Sequence, residues 1–268
     1  MKYDLMVSDF DGTLGTVPDV IDDETVDAIK KYTGRGGKFA IVTGRVNSSI
    51  MAICRKYNLD GIVISYQGSM IKDVKTDETL FVGGIGIDDA IEIVKKFQQE
   101  KVKVIIEVDD MLIYNEPSDY IEVYKKRLNG NVIYKKDLCA FIKEYGKIIQ
   151  KINVNCTAEQ SKTLTDKLNA EYKGKIIFNN GSPYIIEAIN PSCSKGQAVR
   201  YLSRYYNIPY DKIIAVGDST NDIELINGEW HGVCVGDGRE ELKKIADEIT
   251  VPYKDKPIKT LLEKYQMI

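Results

Sequence analysis

The chain has 268 residues, 37 basic side chains against 40 acidic ones for a formal net charge of −3, and an apolar share of 43%. A disordered chain would be poorer in apolar residues and further from neutrality, and a collagen-like or low-complexity chain would need far more than 21 Gly and 7 Pro. The length suits one large domain or two ordinary ones, and either can bury a core.

From the N-terminus, the apolar run Tyr3 to Val7 predicts a strand ending at Ser8-Asp9, and a helix follows Asp22 with Val26 and Ile29 on one face. Lys38 to Val42 reads as a second buried strand. Asn47 is placed to cap a helix whose Ile50, Ile53, Cys54 and Tyr57 fall on one stripe, which we assign to core packing. Gly61 to Ser65 is a third apolar strand. Continuous apolar strands separated by amphipathic helices predict a parallel sheet covered on both faces.

The pattern changes after about residue 83. Gly83-Gly84-Ile85-Gly86 lacks the rest of a dinucleotide fingerprint and reads as a flexible joint. A helix with Ala90, Ile93, Val94 and Phe97 on its core face leads into strands Val102 to Val108 and Met111 to Tyr114, joined by a tight turn at Asp109-Asp110. The Tyr124-Lys125-Lys126-Arg127 run reads as a solvated rim. Mixed strands and helices to about residue 188 predict an α+β unit. Beyond it the first style returns, with a helix from about Ser194 to Tyr206 opened by a Ser194/Gln197 capping pattern, a strand at Ile213 to Val216, and a last strand near Val233 to Val235. The expected division is therefore 1–82 plus 189–268 as one α/β unit and 83–188 as an inserted α+β unit.

Residues 83–188 carry equal numbers of basic and acidic residues, and no basic stripe appears elsewhere, so a nucleic-acid partner is not expected. No apolar run reaches the roughly 18 residues of a membrane span, and the Met1-Lys2-Tyr3-Asp4 start does not resemble a signal peptide, so a cytoplasmic location is expected. Five scattered cysteines without a Cys-x-x-Cys pair suggest neither a disulfide framework nor a zinc site. The single histidine, His231, with Cys234 nearby, is too few ligands for a metal.

Polar residues concentrate just after predicted strand ends: Asp9, Asp11 and Thr13; Thr43, Gly44 and Arg45; Asp218, Asn221 and Asp222; with Lys195 opening the helix before the last group. Ligands of open parallel sheets bind at that edge, so clusters far apart in sequence are expected to meet there. Asp9, Asp11 and Asp218 would repel one another without a divalent cation, and oxygen-only ligands favour magnesium. Lys195, Thr43 and loop N–H groups supply what a phosphate needs. A carboxylate attacking phosphorus divides one difficult hydrolysis into two easier displacements.

These residues resemble the motifs of the haloacid dehalogenase-like phosphatases, and within them the Cof-like group. Val7-Ser8-Asp9-Phe10-Asp11-Gly12-Thr13-Leu14, Ile41-Val42-Thr43-Gly44-Arg45, Ser194-Lys195-Gly196 and Gly217-Asp218-Ser219-Thr220-Asn221-Asp222 match its four motifs in order. The resemblance implies a Rossmann-like parallel core with an α+β cap inserted between Thr43 and Lys195. It implies Asp9 as nucleophile and Asp11 as the acid and later the base, acting in a dry, closed site. Magnesium would be held by the Asp9 carboxylate, the Asp11 carbonyl and Asp218. Thr43, Gly44, Lys195 and Asn221 would bind phosphate, with Asp222 and Arg45 in support. Two positions depart from the family: Gln67 stands where an asparagine is common, and Val235-Gly236-Asp237-Gly238 replaces a glycine-asparagine-alanine stretch. Both bear on substrate contacts.

The expected activity is magnesium-dependent hydrolysis of a small phosphate monoester such as a sugar phosphate, with a phosphosugar mutase using the same nucleophile as the alternative. A phospho-acceptor signalling module would lack the hundred-residue insertion, and a silent binding protein would be expected to have lost Asp9, Asp11 or Lys195. Oligomeric state is not legible in the sequence.

Overall fold

The computed structural model describes residues 1–16, 19–127 and 131–268. Its strands are β1 (Leu5–Asp9), β2 (Lys38–Val42), β3 (Ile62–Ser65), β4 (Met70–Asp73), β5 (Thr79–Val82), β6 (Lys103–Val108), β7 (Met111–Tyr114), β8 (Val132–Tyr134), β9 (Lys151–Asn155), β10 (Ile177–Ser182), β11 (Ile185–Ile189), β12 (Ile213–Gly217), β13 (His231–Cys234) and β14 (Glu248–Ile249). They form two sheets. One has the order β14-β13-β12-β1-β2-β3-β4-β5, and the other β10-β11-β9-β6-β7-β8.

In the first sheet β1 lies between β12 and β2, and all pairs from β14 to β3 are parallel. Every residue of β1, β3 and β12 is buried. Their continuous apolar character follows from helices on both faces. Met6, Ile41 and Ile214 pack with Ile29 of α1 (Asp23–Gly34), Ile50 of α2 (Asn47–Tyr57) and Leu261 near the C-terminus. Leu5, Val7, Ala40 and Ala215 point the other way, toward a second apolar cluster that includes Val199 and Leu202. The Rossmann-like parallel core expected from the sequence is thus present, and so is a separate α+β portion.

That portion is the second sheet, antiparallel apart from β7 with β8. Between β5 and β10 the chain also forms α3 (Ile87–Gln99), α4 (Asp119–Arg127), α5 (Leu138–Tyr145) and α6 (Ala158–Tyr172). Alternation sorts the strands by face. Val104, Ile106, Ile152, Val154 and Ile186 face a core with Val94 and Phe97 of α3, Ile142 of α5 and Leu168 of α6. Ile105 and Leu112 face Val46 and Tyr66 of the first sheet's loops and Met70 at the start of β4. The chain leaves the first sheet after β5 and returns after β11, and Asn190 Nδ2 donates to Gly84 O at 2.8 Å between the two crossings.

Asn47 is the first residue of α2, and the cap position falls to Val46, which offers no side-chain hydrogen bond. The exposed N–H of Ser48 is instead taken by Asp110 Oδ1 at 2.6 Å, from the β6–β7 turn. Asp109 and Asp110 both have positive φ there, as a two-residue hairpin requires. Among the described residues no helix is long and apolar enough to cross a membrane.

Candidate active site

Each parallel strand delivers its polar residues to the same edge. Asp9 ends β1, Thr43 follows β2, Gln67 lies just past β3 and Asp218 follows β12. Lys195 sits in the first turn of α7 (Lys195–Tyr206), whose N-cap Ser194 accepts from Gln197 N as the sequence predicts. Because β1 is flanked by β12 and β2, these groups converge at the point where the strand order turns.

Lys195 Nζ lies 2.6 Å from Asp9 Oδ1 and 2.6 Å from Asp222 Oδ1, and all three side chains are buried. Asp222 Oδ2 also accepts from the N–H groups of Asp218 and Ser219, which fixes the loop after β12. Carboxylate oxygens of Asp9, Asp218 and Asp222 come within 4.8 Å of one another. Burial, and next the Asp222 carboxylate, push the Asp9 carboxyl well above the usual range against the pull of Lys195. The same two causes push Asp218 up to about 6. Burial disfavours the Lys195 ammonium, but Asp222 and Asp9 more than reverse this and raise its pKa.

Three carboxylates around one ammonium leave an excess of negative charge in a buried place, so the donor set fits a hard divalent cation. Asp222 is committed to Lys195 and two backbone donors, which leaves Asp9 and Asp218 as the better placed ligands. Thr13 Oγ1 donates to Asp218 Oδ1 at 3.0 Å. Gly12 has φ +85°, and a Cβ there would lie 2.7 Å from Asp218 Oδ2, so only glycine lets this loop close over the acid.

Asp11 stands apart from that cluster. Arg45 Nε and Nη2 grip its two oxygens at 2.8 and 2.6 Å, Arg45 Nη1 holds Asp19 at 2.6 Å, and the Asp11 side chain is 47% exposed. The dry surroundings expected for Asp11 are therefore not found in this conformation, because the residue lies where the chain has already left the sheet. Thr43 is buried, and its Oγ1 accepts from Arg45 N at 3.2 Å. Asn221 Nδ2 is 3.5 Å from Gln67 Oε1.

A cavity of about 400 Å³ joins these groups. Asp9, Asp11, Thr43, Gly44, Arg45, Gln67, Asp218, Ser219 and Asn221 line one side, and Tyr120, Tyr124, Lys151, Ile185 and Glu187 the other. A larger hollow of about 870 Å³ shares Tyr120, Tyr124 and Ile185 but touches none of the acids around Lys195. Lys195 and Asp222 lie behind Asp9 rather than on the cavity wall. Gln67 was legible only as a departure from a family pattern. Lys151 and Glu187 were missed altogether, and Tyr124, expected on a solvated rim, lines the cavity. The strict alternation Lys151-Ile152-Asn153-Val154-Asn155 was the available signal, since it marks a sheet face that is polar.

The family model for haloacid dehalogenase-like hydrolases matches residues 6–262. A 5-amino-6-(5-phospho-D-ribitylamino)uracil phosphatase of Bacillus subtilis is 23% identical, with 97% of each chain covered. A second Bacillus subtilis phosphatase, YwpJ, is 23% identical over 92% of this chain and 94% of its own. Among solved structures, a haloacid dehalogenase-like hydrolase from Bacteroides thetaiotaomicron superposes with a TM-score of 0.82 at 20% identity, covering 98% and 99% of the two chains. A sugar phosphatase of subclass IIB of the same superfamily gives 0.82 at 18% identity, again over 98% and 99%. The chain belongs to the haloacid dehalogenase-like hydrolases.

Proposed function

We propose that this haloacid dehalogenase-like hydrolase is a magnesium-dependent phosphatase that cleaves small phosphate monoesters, sugar phosphates or similar metabolites, through an aspartyl phosphate on Asp9. The observation that carries the proposal is the buried Asp9 carboxylate at the end of the central strand, paired with Lys195 and opening on the cavity. Residues 83–188 serve as the cap over a catalytic unit made of 1–82 and 189–268. Two relatives support the substrate class, one named for a phosphoribitylamino compound and one called a sugar phosphatase.

Asp9 attacks phosphorus, the ester P–O bond breaks, and Asp11 gives its proton to the departing oxygen. Asp11 then takes a proton from water, whose oxygen displaces the Asp9 carboxylate and leaves inorganic phosphate. Thr43, the Gly44 backbone and Asn221 hold the phosphoryl oxygens. Lys195 holds Asp9 in place, and Asp222 holds Lys195. Asp9, Asp218 and the Asp11 carbonyl would hold magnesium, which when bound would neutralise charge on the phosphoryl oxygens.

The same chemistry suits a phosphosugar mutase, but a mutase must also seat a phosphate at the far end of its sugar. The facing wall instead gathers Glu107 and Glu187 around the single Lys151, an unfavourable place for a second dianion. Phosphate release from p-nitrophenyl phosphate and a panel of phosphorylated metabolites, with magnesium and with chelator, tests the assignment. Magnesium-dependent release is expected. Conversion of sugar phosphates into isomers without free phosphate would overturn it in favour of the mutase.

A further inference from the structure

The wall opposite Asp9 is one face of the six-stranded sheet, and it is polar although it is buried. Glu107 pairs in register with Lys151, and Glu187 with Asn153, so the four side chains adjoin on that face. Lys151 Nζ donates to Glu187 Oε1 at 2.7 Å and to Gly44 O at 2.7 Å, and lies 3.1 Å from Glu107 Oε2. Two of its three hydrogens are placed in hydrogen bonds, and its charge is shared between the two glutamates. Gln67 Nε2 donates to Glu187 Oε2 at 2.5 Å, while its Oε1 faces Asn221.

Acceptors on this wall are not spent. Each carboxylate oxygen takes more than one donor, and Glu107 Oε2 and Asn153 Oδ1, both buried, have no hydrogen-bond partner among the described residues. Among the described residues, the cations nearest this wall are paired as well. Arg45 is held by Asp11 and Asp19, and Lys195 by Asp9 and Asp222. The Tyr120 hydroxyl is turned to Glu107 Oε1 and hydrogen-bonds with that of Tyr124, so the surface is poorer in free donors than in acceptors and has negative charge to share, which is the complement of hydroxyl groups and the wrong partner for an anion.

We propose that Glu187, clamped between Gln67 and Lys151, recognises the leaving group, and that it selects a neutral, hydroxyl-bearing leaving group over one with a second phosphate or carboxylate. This rests on the phosphatase reading above. Hydroxyl hydrogens are donated to the Glu187 carboxylate, whereas a second anion brings only acceptors and more negative charge. Gln67 is the positioning residue, since its amide bridges Glu187 and the Asn221 side chain, and it packs so closely on Gly44 that an added Cβ there would lie 2.6 Å from Gln67 Nε2. Gln67 has φ +62°, a conformation asparagine also tolerates, but asparagine is one methylene too short to span from Asn221 to Glu187.

The test is kcat and KM with magnesium for polyol monophosphates, their matched bisphosphates and p-nitrophenyl phosphate, in the parent, Glu187→Gln and Gln67→Asn. The parent should prefer each monophosphate over its bisphosphate by about 100-fold or more in kcat/KM. In Glu187→Gln the advantage of polyol phosphates over p-nitrophenyl phosphate should shrink by about 10- to 100-fold, chiefly through KM, and bisphosphates should gain. Gln67→Asn should shift the same ratios in the same direction by less, and it leaves the Lys151 pairs intact if the first variant folds poorly. A parent that favours bisphosphates, or two variants that keep the parental ratios, would overturn the proposal. No release from any ester, p-nitrophenyl phosphate included, would instead remove the phosphatase reading on which it stands.

Discussion

Lys195 is the residue on which the buried acids depend. It is fully enclosed between Asp9 and Asp222, so replacing it with methionine leaves two carboxylates without a counter-charge. Breaking a buried pair in this way costs about 3–5 kcal/mol. Lys195→Met should therefore lose both activity and stability, and adding Asp222→Asn should recover part of the stability and none of the activity. Urea unfolding of the single and double variants checks this; a double variant no more stable than Lys195→Met contradicts it. Arg45 shows the same economy at the rim, where one guanidinium holds Asp11 and Asp19 together. Most of these groups were legible in sequence because Asp9, Thr43 and Asp218 stand beside the ends of apolar strands. Lys151, Glu107 and Glu187 were not, because a polar residue inside an alternating strand normally marks the solvent face. Here that face is covered by the first sheet's loops, a fact of tertiary structure.

At the level of elements, the N-terminus of α2 borrows its cap from a distant hairpin. Asp110 Oδ1 accepts from Ser48 N, and the Tyr66 hydroxyl both donates to Asp110 Oδ1 at 3.1 Å and accepts from Asp110 N at 2.8 Å. A cap of this kind contributes about 1 kcal/mol, so Asp110→Gly, which removes the carboxylate and tolerates the positive φ, should lower the urea midpoint accordingly with an unchanged slope. An unchanged midpoint would show that water caps the helix equally well. The turn at Asp109-Asp110 was legible from its sequence, but its partner was not, since the nominal cap residue Asn47 lies inside the helix.

A second element contact has a pH signature. The C-terminal helix α10 (Pro257–Lys264), last after the short α8 (Ile223–Ile226) and α9 (Glu240–Lys243), is tied to β14 where Lys264 meets Glu248 at 2.8 Å. Burial would raise the Glu248 carboxyl, but hydrogen bonds from Lys264, Tyr265 and His231 outweigh it and hold it below its ordinary value. The folded chain thus binds that proton less readily than the unfolded one. The stability Glu248 contributes is present above the usual carboxylate range and drains away as the pH falls below about 4.3. The parent should exceed Glu248→Gln in unfolding midpoint at pH 7, and the margin should narrow toward pH 3. A margin independent of pH would refute this.

At the scale of the molecule, a site assembled from Asp9, Lys195 and Asp218 draws on both ends of the chain, and the parallel sheet brings them together because β1 pairs with β12. The order of strands and helices in that sheet could be read from apolar runs and helical spacing. The second sheet could be read only as mixed α+β, since which strands pair across it depends on contacts far apart in sequence. A cation that binds the folded chain's acids and not the unfolded chain shifts the folding equilibrium. Magnesium at millimolar concentration should raise the melting temperature of the parent by a few degrees and that of Asp218→Asn by less. Equal shifts would place the ion elsewhere. The most direct measurement concerns Asp9 itself: the protein is quenched in acid during turnover of a phosphate monoester with magnesium, and its peptides are weighed. One phosphoryl group should appear on the peptide that contains Asp9 and be missing from Asp9→Asn, which should neither turn over nor melt below the parent. A phosphoryl group on any other residue, or parental turnover by Asp9→Asn, would contradict the assignment of Asp9 as the nucleophile.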